Sequence, residues 1–291
     1  MSTATATATT GALPPRTVTA RPVTFGRVLR SEWIKLWSLR STWWTVVLTV
    51  VAFVGLVAAM SGIVRQIGGD GPADPATGAE LSASFVYSIA VQPASLAAVT
   101  LGVLAITGEY TTGMIRSTFA AVPRRLPALW AKAVVVFLVM AVTALVAVAL
   151  GYAVSTLILS GPGLALDLDL AESWRVLLGS VLYLATVALF AFAIGAIIRH
   201  SAGALATIFG LLLVVENVVA AIPWEPLRYV RPFLPASSGA RITLPDAAQG
   251  IYANPDAYWL DLSIAESFGI LVAWTVVLLA IAAVLMRRRD A

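Results

Sequence analysis

Side chains capable of acid–base, nucleophilic or metal chemistry are sparse and widely spaced. The 291 residues include fifteen acids, one histidine and no cysteine. Without cysteine there are no disulfides, thiolate metal sites or thiol nucleophiles. His200 alone cannot build a multi-histidine metal centre, and no HExxH pair occurs. Gly68-Gly69-Asp70-Gly71 is only superficially like a glycine–aspartate protease motif, because no second membrane aspartate accompanies it. No GxxxxGK(S/T) phosphate loop is present, so ATP hydrolysis is not expected of this chain. The acids do not converge on an acid–base–nucleophile set, and neither a catalytic residue nor a metal or cofactor site is expected.

Three acids stand out by position instead. Glu32 lies in 25–40, FGRVLRSEWIKLWSLR, where helical spacing puts Phe25, Val28, Leu29, Trp33, Leu36, Trp37 and Leu39 on one broad face. Arg27, Arg30 and Lys35 fall outside that face or at its edge, so the segment reads as an amphipathic interfacial helix on a membrane containing anionic lipid. Glu32 points into the apolar arc and needs a partner, for which Lys35 at i+3 is the local candidate. Glu109 stands at the end of an apolar run, ahead of Arg116, Arg124, Arg125 and Lys132. Glu216, beside Asn217, lies inside another apolar run. An intramembrane carboxylate marks a substrate path or subunit interface by default, and the equally weighted alternative is a snorkelling residue within reach of Arg228.

These residues sit on a chain built for a bilayer. Apolar residues make up 59% and charged residues 12%, with a mean hydropathy of +0.90. A soluble domain of this size could not hide that much apolar surface. The apolar residues arrive in six runs, at 42–64, 84–106, 129–160, 174–198, 202–222 and 266–286. At 1.5 Å per residue the first reaches about 34 Å, enough for a hydrocarbon core of about 30 Å. The third is overlong and is expected to tilt. Arg199, His200 and Ser201 must form a tight reversal, since one helix through the fourth and fifth runs would be far too long. His200 is read as a solvated residue of that turn. The fold class expected is all-α integral membrane, six transmembrane helices preceded by the interfacial helix. The Ser-, Thr- and Pro-rich residues 1–24 read as a disordered tail.

Charge asymmetry sets the orientation. Fourteen of nineteen Lys and Arg residues fall on one side if the amino terminus is cytoplasmic, while eleven of fifteen acids fall on the other. Basic residues are retained on the cytoplasmic side. Both termini are therefore expected in the cytoplasm, and the protein in the plasma membrane. On the outer side, 223–265 carries Pro226, Pro232 and Pro235 among Trp224, Tyr229, Phe233, Tyr252, Tyr258 and Trp259. It reads as an interfacial cap of broken helix.

The stretch 107–132, TGEYTTGMIRSTFAAVPRRLPALWAK, joins a membrane-exit acid, a glycine step, a short helix-capable run and a Pro-Arg-Arg stop. It resembles the cytoplasmic coupling segment of membrane subunits of type-2 ABC transporters. Ser31-Glu32-Trp33-Ile34-Lys35-Leu36 followed by Arg40-Ser41-Thr42-Trp43-Trp44 is similar to the actinobacterial members. The six-span layout agrees along most of the chain, whereas the specific motifs cover these two segments. Thr111-Thr112-Gly113-Met114 departs from the basic residue and Gly-Thr of many relatives. The resemblance implies an exporter subunit whose loop docks on a separate ABC ATPase, the ATP and magnesium residing there. Glu109, Tyr110, Met114, Ile115, Arg116, Phe119, Pro123, Arg124 and Arg125 would form the coupling contact, with Glu32, Trp33 and Lys35 in the interfacial helix. It also implies a second permease chain, of like or unlike sequence. Membrane lipid is the other expected partner, and nucleic acid is not expected. A nontransporting membrane scaffold or sensor would share the topology but has no need of a docking loop.

Overall fold

In the computed structural model, residues 24–68, 83–115, 125–159, 166, 168–222, 224–249, 260 and 262–289 are described. The tail expected over 1–24 lies outside them apart from Thr24, as do parts of the 107–132 and 223–265 segments. The described residues are helical, with no strand. α1, Phe25–Ser38, precedes α2, Arg40–Gly68, α3, Ala83–Thr111, α4, Arg125–Leu159, and α5, Ala171–Ile198. A fifth span combines α6, Ser201–Phe209, a π-helical stretch, Gly210–Val215, and α7, Glu216–Ala221. The short α8, Glu225–Val230, α9, Pro235–Ala240, and α10, Asp246–Gln249, then lead to the last span, α11, Ile264–Arg289. Six helices are long and apolar enough to cross a membrane, and they coincide with the six apolar runs within a few residues. The protein is a multi-pass membrane protein.

Small side chains set the helix packing. α5 and α3 form the centre, with 72% and 67% of their apolar windows buried, against 22% for α2, the fifth span and α11. The two pack on each other, and fully buried small residues on them include Ala94 and Ala98 of α3 and Ala185, Ala188 and Ala191 of α5. Close backbone approach of this kind is what drives association where lipid removes the hydrophobic incentive. At Gly102 a Cβ would lie 2.0 Å from the Ala188 carbonyl oxygen, so only glycine fits. α2 packs on α3 and α4, where Phe53 meets the Tyr87 ring edge-on at 5.8 Å and Tyr87 hydrogen-bonds with Ser155 at 3.2 Å. α11 lies against α5.

The fifth span, expected over 202–222, is not a uniform α-helix. Ala204, Ile208, Leu212 and Glu216 are buried at successive i+4 positions. In a regular helix such a stripe drifts by about 40° per step. The wider turn of the π stretch rotates each residue less and offsets that drift. Glu216 is thereby kept on the buried side while Val215 and Asn217 face outward.

Between the last two spans, the described residues of 223–265 include three short helices, α8, α9 and α10. Arg175 reaches across from α5, pairing with Asp246 at 2.6 Å and donating to the Leu244 carbonyl at 2.7 Å. Buried Arg241 donates to Gln249 Oε1 at 2.9 Å, to Ser267 Oγ at 3.3 Å and to the Leu262 carbonyl. Ser263 and Glu266 close a capping box at the start of α11.

Candidate functional site: a buried ring of four charges

α1 is held by one stripe. Val28, Glu32 and Leu36 recur at i, i+4 and i+8 and are the buried residues of the helix. Val28 and Leu29 pack on Ala128 and Ala131 of α4. The helix stops where Leu39 turns extended at φ −86° and ψ 126°, and α2 begins at the next residue. Trp43 fixes this elbow by donating its indole N–H to the Trp37 carbonyl at 3.2 Å.

α3 ends by a different device. Gly113 adopts φ 72°, the left-handed conformation that suits glycine at a helix C-terminus. Its N–H reaches the Tyr110 carbonyl at 3.3 Å, while Thr112 N–H reaches Gly108 at 3.1 Å. This stop leaves Glu109 in the last turn, where the helix dipole disfavours a carboxylate. Cations are needed there, and two arrive from other helices.

Lys35 Nζ donates to Glu32 Oε1 at 2.7 Å and to Glu109 Oε1 at 3.3 Å. Lys132 of α4 bonds Glu109 Oε1 at 3.0 Å and also pairs with Glu32 Oε2. The four side chains close a ring in which each lysine touches both carboxylates. It is electrically neutral and deeply placed, with Glu32 side-chain exposure at 1%, Glu109 at 7% and Lys132 at 8%. Lys35, at 29%, is the wettest member. Burial acts to lower the Lys35 pKa, but hydrogen bonds and attraction to Glu32 and Glu109 outweigh it and hold the ammonium above its ordinary value. The second Glu109 oxygen, Oε2, is buried and meets no donor among the described residues.

Beside the ring, the Arg199 guanidinium lies 5.1 Å from the centroid of the Tyr110 ring. Arg199 makes the α5–α6 reversal at φ 63°, and His200 Nδ1 accepts from Gly203 N–H at 3.1 Å, capping α6. The predicted turn is therefore present, with its histidine acting as an N-cap. Ring and turn sit at the same end of the bundle, the one carrying the basic excess.

The remaining candidates are dispersed. Met114 and Trp33 are exposed, and Ile115 is half-buried. Arg116, Phe119, Pro123 and Arg124 lie outside the described residues, and Arg125 is described only as the first residue of α4. Glu216 stands apart from the ring, its Oε1 accepting from Ala236 N–H and its Oε2 from Ser237 N–H, both at 2.7 Å. It caps α9 from the fifth span. Asn217 is exposed and its amide donates to the Leu213 carbonyl at 2.8 Å. Arg228 lies over the Tyr229 ring at 5.4 Å, and it is Arg231 that reaches the end of the fifth span, donating to Val219, Ala220 and Ile222 carbonyls at 2.9–3.1 Å.

Neither the protein-family models nor the curated proteins compared with this chain give a match. The site therefore stands on its geometry. Sequence reading found the Glu32–Lys35 pair through its i+3 spacing. It missed the closure through Glu109 and Lys132, which were noticed separately as a membrane-exit acid and part of a basic stop. The available signal was that all four ionisable residues border apolar runs at one end of the bundle. Among the described residues no group of three or more potential ligands could hold a metal ion.

Proposed function

We propose that this chain is the transmembrane subunit of an ABC exporter, in the plasma membrane with both termini cytoplasmic, driven by ATP hydrolysed on a separate subunit. The observation that carries the reading is the ring, which ties the two segments bearing the family resemblance into one unit. A docking loop transmits force only if its anchors are stiff. Here the helix before the loop supplies Glu109, the helix after it supplies Lys132, and α1 supplies Glu32 and Lys35. Closure of an ATPase pair beneath the loop would move α1, α3 and α4 together, and α3 is central to the bundle. Exposed Met114 offers an apolar contact point at the loop entrance. A dimer of such chains would alternate access to a path between them. The enrichment of Lys and Arg at the ring end supports a cytoplasmic position for that end.

The test is affinity purification of the tagged chain from its native membrane in mild detergent. An ABC ATPase is expected to copurify with the wild type and to be lost from Arg124→Ala/Arg125→Ala at unchanged thermal stability. Absence of any ATPase, under conditions that retain one on a known exporter, would reject the reading in favour of a membrane scaffold.

A further inference from the structure

We propose that the elbow between α1 and α2 is a binding surface for anionic phospholipid. α1 contains one acid, Glu32, and the fold turns it inward against Lys35 and Lys132. The outward side is left with cations and aromatics. Arg30 and Arg40 are exposed, as are Trp33 at 41%, Trp43 at 55% and Trp44 at 74%. Trp37 links them, its ring centroid 5.9 Å from Trp33 and 4.7 Å from Trp43. With the Trp43 indole tied to the Trp37 carbonyl, the aromatic row is held in place before any lipid arrives.

The elbow lies at the foot of a span, Arg40–Ile67, and so at the edge of the hydrocarbon core. Indoles favour this headgroup level, and the exposed guanidinium groups carry the positive charge that attracts anionic headgroups. An acidic protein surface would satisfy the arginines but not the exposed indoles together with Phe25 at 49% and Ile34 at 57%. Zwitterionic lipid would solvate the indoles yet supply no net countercharge. A bilayer rich in anionic headgroups meets both needs.

The experiment uses the full-length chain purified and reconstituted without any ATPase, so its outcome is separate from the exporter reading. Quenching of tryptophan emission by brominated phosphatidylglycerol is compared with quenching by brominated phosphatidylcholine in mixed bilayers at low and high salt. The wild type is expected to prefer phosphatidylglycerol, by up to about fivefold for each arginine near the surface, with the preference shrinking in high salt. Arg30→Gln/Arg40→Gln should abolish most of it, and Arg30→Lys/Arg40→Lys, which keeps both charges, should retain most of it. Equal quenching by the two lipids in the wild type overturns the proposal. So does a preference that survives in the glutamine variant or is lost equally in the lysine variant.

Discussion

Replacing Lys132 with methionine removes one of the four ring charges while keeping a long apolar side chain. The carboxylates of Glu32 and Glu109, at 1% and 7% exposure, are then left with Lys35 alone. Removing one partner from a buried ion pair typically costs about 3–5 kcal/mol, because the uncompensated charge remains out of water. At roughly 2–4 °C per kcal/mol for a chain of this size class, the detergent-solubilised protein should lose about 6–20 °C of thermal midpoint. Lys35→Met should cost less, about 1 kcal/mol, since Lys35 is 29% exposed and water already screens it. The double variant Glu109→Gln/Lys132→Met removes one charge of each sign and leaves the 2.7 Å Glu32–Lys35 pair intact. Its cost should fall below the sum of the two single changes by about 2 kcal/mol. Fluorescence-detected thermal unfolding of the single and double variants measures all three. Strict additivity of the double variant would refute the claim that the four charges act as one neutral buried unit, and equal losses for Lys132→Met and Lys35→Met would refute the screening of Lys35 by water.

Two further outcomes test how the bundle and its cap are held. Gly102→Ala places a Cβ 2.0 Å from the Ala188 carbonyl oxygen and should cost about 3 kcal/mol or prevent assembly, whereas Gly108→Ala, with nothing within 4 Å, should be neutral or slightly stabilising by the same thermal assay. Glu216→Ala strands the Ala236 and Ser237 N–H groups and should cost about 1–3 kcal/mol, seen as faster hydrogen exchange across α9, with Glu216→Gln milder because its amide oxygen still accepts one bond.

The spans were legible because each is a local property of composition: twenty-odd apolar residues between polar flanks leave few alternatives. α1 was legible from its 3.6-residue period, and Lys35 as partner of Glu32 from one helical turn. Partners far apart in sequence left no such trace. Glu109 and Lys132 are 23 positions apart, and Lys35 and Glu109 74, so no periodicity joins them. Glu216 was visible as an oddity, a carboxylate in an apolar run, but its role depends on a π stretch that the GLLLVV sequence does not announce and on backbone donors 20 and 21 residues away. Backbone groups carry no residue-type signal. A carboxylate capping a helix from another element therefore looks, in sequence, the same as one lining a pathway.

The ring and the Tyr110–Arg199 stack together limit how this end of the molecule can move. The ring locks α1, α3 and α4, and the stack joins α3 to the turn between α5 and α6. These two joints differ in kind. The ring has four contacts in a poorly hydrated pocket, and breaking it exposes several charges at once, so it should open all together or remain closed. The stack is a cation–aromatic contact at 5.1 Å, worth about 1 kcal/mol, and so a weaker link than the ring. Under the exporter reading, a pull on the loop would carry α1, α3 and α4 as one body, and the close packing of α3 on α5 at Gly102 and Gly195 would pass it to the centre of the bundle.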